Sequence, residues 1–110
     1  MSDVFGNIKK VHFIGTGGIG MSGIAEYLAK NNYTVSGSDS YTTDISERLK
    51  NFGITIHEGH DAEFLPDDTE LVIYSAAVKE DNPEYIKAVS LNIPTIKRAK
   101  ALGEIVNDKF

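Results

Sequence analysis

The chain has 110 residues, enough for one domain with a real core and too few for two. Its 41% hydrophobic and 25% charged content is that of an ordinary globular protein, and 16 acidic against 11 basic residues leave a net charge of −5, which argues against a nucleic-acid surface. There is no cysteine for a disulfide or a thiolate metal site, and no apolar stretch approaches the ~18 residues of a membrane span.

The opening "MSDVFGNIKK" lacks the apolar region of a signal peptide, so a cytoplasmic setting without membrane contact is expected. After this lead-in, "KKVHFIG" reads as a short apolar strand ending at Gly15. Met21, Ile24, Ala25 and Leu28 follow the i, i+3, i+4, i+7 spacing of one helix face, and Asn31 and Asn32 close that helix. "YTVSGS" reads as a second strand. "TTDISERLKNFG" reads as a second helix. In it Asp44 and Glu47 can form a capping box, Ile45, Leu49 and Phe52 supply the buried stripe, and Gly53 is the stop.

"ITIHEG" is a third, shorter strand, "HDAEFLPDD" a polar loop or a single helical turn, and "ELVIYSA" a fourth strand. "DNPEYIKAVSLN" starts a helix with Asn82 as N-cap and Pro83 at the first helical position. "IPTIK" is a fifth strand and "RAKALGEIV" a last helix, with Leu102, Ile105 and Val106 on one side. Gly103 weakens that helix by ~1 kcal/mol relative to alanine.

Strands that alternate with helices indicate βαβ units, hence an α/β, Rossmann-like domain over residues 1–110. The expected sheet is five-stranded and parallel, with helices on both faces and strand order 3-2-1-4-5. Ligands of such sheets bind beyond the carboxyl ends of the strands, where the order reverses.

At that edge "HFIGTGGIGMSG" places five glycines in twelve positions. "GTGGIG" satisfies G-x-G-x-x-G: Gly15 permits a tight turn, Gly17 lets a pyrophosphate reach the backbone, and Gly20 lets helix and strand pack closely. Free N–H groups and the positive dipole end at the helix start would hold the phosphates. Asp39, nineteen residues beyond Gly20, closes the second strand, where a carboxylate usually accepts from a ribose hydroxyl. From these features alone NAD is the default ligand, and a tight turn whose glycines serve packing only is the alternative. No G-x-x-x-x-G-K-[ST] is present, so the chain carries no P-loop for ATP.

The surrounding residues narrow the choice. "HFIGTGGIGMSGIA", "VSGSD", "GHDAE", "YSAAVKEDNPE" and "IPTIKRA" resemble, in order, the N-terminal domain of the Mur ligase family of peptidoglycan synthesis. They are most similar to its L-alanine-adding branch, because the related tripeptide-recycling ligases depart from "GIGMSGIA" within the same turn. The resemblance runs from about Lys9 to the last helix. It implies a Rossmann-like domain that binds the UDP part of UDP-N-acetylmuramate, with the rest of a ligase chain as its other partner.

Carried onto this chain, the resemblance implies a diphosphate site from Gly15 through Thr16, Gly17, Gly18, Ile19, Gly20 and Met21 to Ser22. It places Ser38 and Asp39 at the uridine, with Ser75, Ala76 and Ala77 closing the site from the other side. The family's ATP domain, with its G-K-T loop and Mg, and its amino-acid domain do not fit in 110 residues. The chain is therefore expected to be an excised N-terminal domain, itself without cofactor and inactive alone. An NAD-binding domain of a dehydrogenase, or a nucleotide-sensing regulatory module, is the alternative.

His57 and His60, with Glu58 and Asp61, have a crude metal-ligand spacing, but no further ligand cluster accompanies them and no metal is assigned. His60, in "GHD", is read either as lying at the nucleotide edge or as a plain loop histidine. His12 is read as a hydrogen-bonded core histidine. Phe13, Phe52, Phe64, Tyr74 and Tyr85 are spread over core-like positions and form no stacking platform for nucleic acid. No nucleophile–base pair has a recognisable spacing, so no catalytic residue is assigned.

Overall fold

A computed structural model describes residues 8–15, 19–40, 44–101 and 103. The elements run β1 (Lys10–Ile14), α1 (Ile19–Lys30), β2 (Thr34–Asp39), α2 (Asp44–Lys50) and β3 (Thr55–Glu58). A single 3-10 turn (Ala62–Phe64) follows, then β4 (Leu71–Tyr74), α3 (Pro83–Ser90) and β5 (Thr95–Lys97). The backbone is helical again at 98–101, whereas Leu102, Ile105 and Val106 lie outside the described residues. The strands form one sheet in the order β3-β2-β1-β4-β5, and every neighbouring pair is parallel.

The period of two along each strand explains why this sheet is covered twice. In β1, Val11 and Phe13 turn to one face and join Met21, Ile24, Ala25 and Leu28 of α1 and Leu49 of α2. Ile14 turns to the other face, where Val72 of β4 meets Leu65, Ala88 of α3 and Ile93. Phe13 and Leu28 are 0% and 1% exposed, and each full burial contributes about 1.5–3 kcal/mol.

Local signals end the helices where the sequence suggests. Asn32 takes φ +69° after α1, Gly53 takes φ +82° after α2, and Asn92 takes φ +60° after α3. These left-handed positions favour glycine and asparagine. α3 opens as expected, with Asn82 Oδ1 accepting from the backbone N–H of Glu84 (2.9 Å) and Tyr85 (3.3 Å). In α2, Asp44 is the first helical residue, and both it and Glu47 lie in the first turn, where negative charge complements the dipole.

The segment 59–70 is tied to α3 by a lysine. Lys87 Nζ donates to the carbonyls of Leu65 (2.7 Å) and Ala62 (3.1 Å) and pairs with Asp67 at 2.7 Å. The ammonium thus serves as a cap for the 3-10 turn, which has too few internal bonds to hold itself.

Candidate nucleotide-binding cleft

β1 and β4 lie side by side, but their chains leave in different directions. After β1 the chain turns toward α1 on one face, and after β4 it passes through residues 75–82 to α3 on the other. The crevice left between them is a cleft of about 360 Å³ at the carboxyl edge of the sheet. Gly15, just past β1, and Asp39, the last residue of β2, form one side, with Ser40 and His60 beside them. Ser75, Ala77, Val78 and Lys79 form the other, and Asp81, Asn82 and Pro83 complete it at the start of α3.

Gly15 is required here for two separate reasons. Its φ is +87°, and a Cβ placed on it would lie 2.8 Å from Ser75 Oγ. Its N–H donates to the carbonyl of Ser38 at 2.7 Å, while Ser75 N–H donates to the carbonyl of Ile14 at 3.2 Å. The turn is thereby stitched to β2 on one side and to the end of β4 on the other. Asp39 is held in the same way, its carbonyl accepting from Gly59 N–H at 2.6 Å, and its half-buried side chain lines the cleft. Lys79, exposed on the opposite side, brings a cation to this rim.

Beneath the cleft lies a fully buried polar cluster. Glu84, the second residue of α3, is 0% exposed, as are His12 of β1 and Ser38 of β2. Glu84 Oε1 accepts from His12 Nε2 at 2.5 Å and from Ser38 Oγ at 2.8 Å. Its Oε2 accepts from Asp61 N–H at 3.2 Å and lies 3.3 Å from His60 Nδ1. His12 Nδ1 meets Ser36 Oγ at 2.7 Å. Burial pushes the Glu84 carboxyl upward, but the hydrogen bonds and charge of His12, with those of Ser38 and Asp61, outweigh it and hold the group below its ordinary value. An ionised carboxylate thus sits under the cleft with its acceptor sites filled.

The sequence-derived site residues separate into three groups. Gly15, Asp39, His60, Ser75 and Ala77 meet at the cleft, although β1, β2, the segment after β3, and the end of β4 supply them. Thr16, Gly17 and Gly18 lie outside the described residues, and Ile19 and Gly20 are the first two residues of α1. Ser22 is half-buried on α1.

Three placements differ from the sequence-based expectation. The Met21 side chain is 2% exposed in the hydrophobic core, because the same helical spacing that brings residue 21 near the turn aims its side chain inward. Ser38 is buried one layer below Asp39, since side chains alternate along β2, and its hydroxyl is committed to Glu84 and His60. Ala76 lines an adjoining hollow with Tyr74, Tyr85 and Lys97, which shares Val78, Lys79 and Asp81 with the cleft.

His12 is the hydrogen-bonded core histidine anticipated from the sequence. His57 stacks on Phe64 with ring centroids 4.3 Å apart, whereas His60 turns to Ser38 and Glu84. Among the described residues, no three His, Asp or Glu side chains are grouped as metal ligands.

Glu84 escaped sequence reasoning. An acid after Asn-Pro looks like an ordinary exposed first-turn residue that complements the helix dipole. The available signal was His12, a polar ring in an apolar strand that had to find a partner.

Comparison with known proteins bears on the family and the fold. Residues 10–110 match the family model described as "Mur ligase family, catalytic domain". The UDP-N-acetylmuramate–L-alanine ligase of Sulfurihydrogenibium sp. is 50% identical over 105 residues, covering 96% of this chain and 23% of that protein. The crystal structure of the UDP-N-acetylmuramate–alanine ligase of Thermotoga maritima superposes with a TM-score of 0.87 at 35% identity, covering 90% of this chain and 23% of that one. Shikimate dehydrogenase of Aquifex aeolicus shares the fold alone, with a TM-score of 0.54 at 15% identity over 86% of this chain and 44% of that one. The chain spans about a quarter of the length of the ligases it matches. With the family match running from the first residue of β1 through the last strand, the chain belongs to the Mur ligase family.

Proposed function

We propose that this chain is the nucleotide-binding domain of a UDP-N-acetylmuramate–L-alanine ligase, and that the cleft at the carboxyl edge holds the UDP portion of the substrate. One observation carries the proposal. Gly15, Asp39, His60, Ser75 and Ala77, drawn from four places in the sequence, converge where the strand order reverses. In this reading the N–H groups at the start of α1 face the diphosphate, and backbone dipoles hold its charge with Lys79 nearby. The Asp39 carboxylate accepts hydrogen bonds from the nucleoside, and His60 lies at its edge.

The complete ligase would join the lactyl carboxylate of the nucleotide sugar to the amine of L-alanine at the expense of ATP with Mg, in the cytoplasm. No residue of this domain is given a catalytic role. Its contribution is affinity for a handle remote from the reacting carboxylate, which anchors the substrate and orients it for the other domains. On this account the 110 residues alone form no ligation product with ATP and L-alanine.

Parallel thermal titrations with UDP, UDP-N-acetylmuramate and NADH test the proposal. A ligand selective for the native state raises the melting temperature, so UDP and its sugar should produce larger shifts than NADH at equal concentration. A larger shift with NADH would favour the dinucleotide reading instead.

A further inference from the structure

Glu84 accepts from His12, Ser38 and the Asp61 N–H, and its second oxygen also faces His60, an arrangement that determines the state of that ring. An ionised carboxylate can only accept, so the single hydrogen of Ser38 Oγ is directed at Glu84 Oε1, 2.8 Å away. Having given up that hydrogen, Ser38 Oγ can act only as an acceptor toward His60 Nδ1 at 3.0 Å. The same Nδ1 lies 3.3 Å from Glu84 Oε2, which also only accepts. Two acceptors therefore face one ring nitrogen, and that nitrogen must carry the hydrogen. A neutral imidazole has a single N–H. Its Nε2 is left with a lone pair, on the side of Ser40 Oγ at 3.4 Å, where both residues line the cleft.

We infer that Glu84 is a positioning residue which, with Ser38, locks His60 as the Nδ1–H tautomer, so that Nε2 meets the bound nucleotide as a hydrogen-bond acceptor and favours a ligand with an N–H or O–H donor at that point. The ligand half of this inference rests on the nucleotide-binding role proposed above. The tautomer half does not, because every contact that sets it lies within the free chain. Asp61 N–H at 3.2 Å from Glu84 Oε2 adds a further constraint, since it fixes the backbone next to His60 to the same carboxylate. His12, bonded to Glu84 through Nε2 at 2.5 Å, carries a hydrogen on that nitrogen.

Long-range proton–nitrogen correlation spectra of the histidine-labelled chain, recorded where His60 is neutral, read the tautomer directly. The expected His60 pattern is a pyrrole-type Nδ1 and a pyridine-type Nε2. In Glu84→Gln the amide replaces one acceptor with a donor, and His60 should move toward the Nε2–H form that solvated histidine prefers. Ser38→Ala removes one of the two acceptors that face Nδ1 and should raise the Nε2–H population measurably, and an unchanged tautomer there would overturn the lock even where Glu84→Gln fails to fold. Addition of UDP should shift the His60 Nε2 resonance. Glu84→Gln should weaken UDP roughly three- to tenfold, as for one lost hydrogen bond, and that loss should vanish in a His60→Ala background.

A dominant Nε2–H form in the parent chain, or an unchanged tautomer in folded Glu84→Gln, would overturn the positioning role even if UDP binds. Failure of the parent chain to bind UDP would overturn the nucleotide reading and the ligand half together, while the spectra of the free chain would still decide the tautomer.

Discussion

Replacing Gly15 with alanine probes the turn that opens the cleft. At φ +87° an L-residue is held in the left-handed region, at a cost of ~1–2 kcal/mol. The new Cβ would stand 2.8 Å from Ser75 Oγ and 3.4 Å from Ser75 Cβ. The hydroxyl can rotate away, but an off-rotamer serine adds about 0.5–1.5 kcal/mol. Together the two terms give a loss of about 2–3 kcal/mol, or a fall of roughly 10–20 °C in melting temperature for a domain of this size. Thermal unfolding followed by circular dichroism measures it. The double variant Gly15→Ala, Ser75→Ala removes the hydroxyl and should recover the steric part only, leaving the backbone term of ~1–2 kcal/mol. A single variant within ~0.5 kcal/mol of the parent would show that residue 15 is not held at a positive φ, and the geometry of this cleft wall would then be wrong.

Asp39→Ala removes a charged acceptor from a strand end at the cleft. It should weaken UDP roughly tenfold or more, as for a charged hydrogen bond of ~1.5–3 kcal/mol, while competition by inorganic pyrophosphate, measured in the same calorimetric titration, stays almost unchanged. Glu84→Ala strips the acceptor from buried His12 and Ser38 and should destabilise the fold by about 3–5 kcal/mol in urea unfolding. The same residue sets part of the acid response. Its folded pKa is depressed, so its contribution is fully present above the ordinary glutamate value of about 4.3 and is lost as pH falls through the lower folded value. Stability curves of the parent should therefore drop more steeply below that pH than those of Glu84→Gln, and parallel curves would contradict the assignment.

The topology was legible because each of its signals is local. Asn82-Pro83 starts α3, Gly53 stops α2, and the spacing of Met21, Ile24, Ala25 and Leu28 faces α1 inward, all as the structure has them. The cleft was partly legible for a different reason. A strand that ends in G-x-G-x-x-G and a second that ends in Asp39 have their positions fixed by the sheet register, Ile14 pairing with Ser38 one residue before that acid. Burial was the less legible part. Nothing near Glu84 in sequence announces that His12, 72 residues away, will share a hydrogen bond with it. Ser38 lies one layer below its expected place because adjacent strand residues point to opposite sides of the sheet, and a motif that names both does not separate them.

The central claim is that UDP binds at the carboxyl edge of the sheet between β1 and β4. Amide chemical-shift mapping of the labelled chain during UDP titration tests it most directly. The account predicts that the largest saturable changes fall on Gly15, Asp39, His60, Ser75 and Ala77, with the amino edge around Lys10, Thr34 and Thr55 unmoved. Saturable binding that maps instead to the amino edge, or to the hollow beside Tyr74 and Lys97, would contradict it.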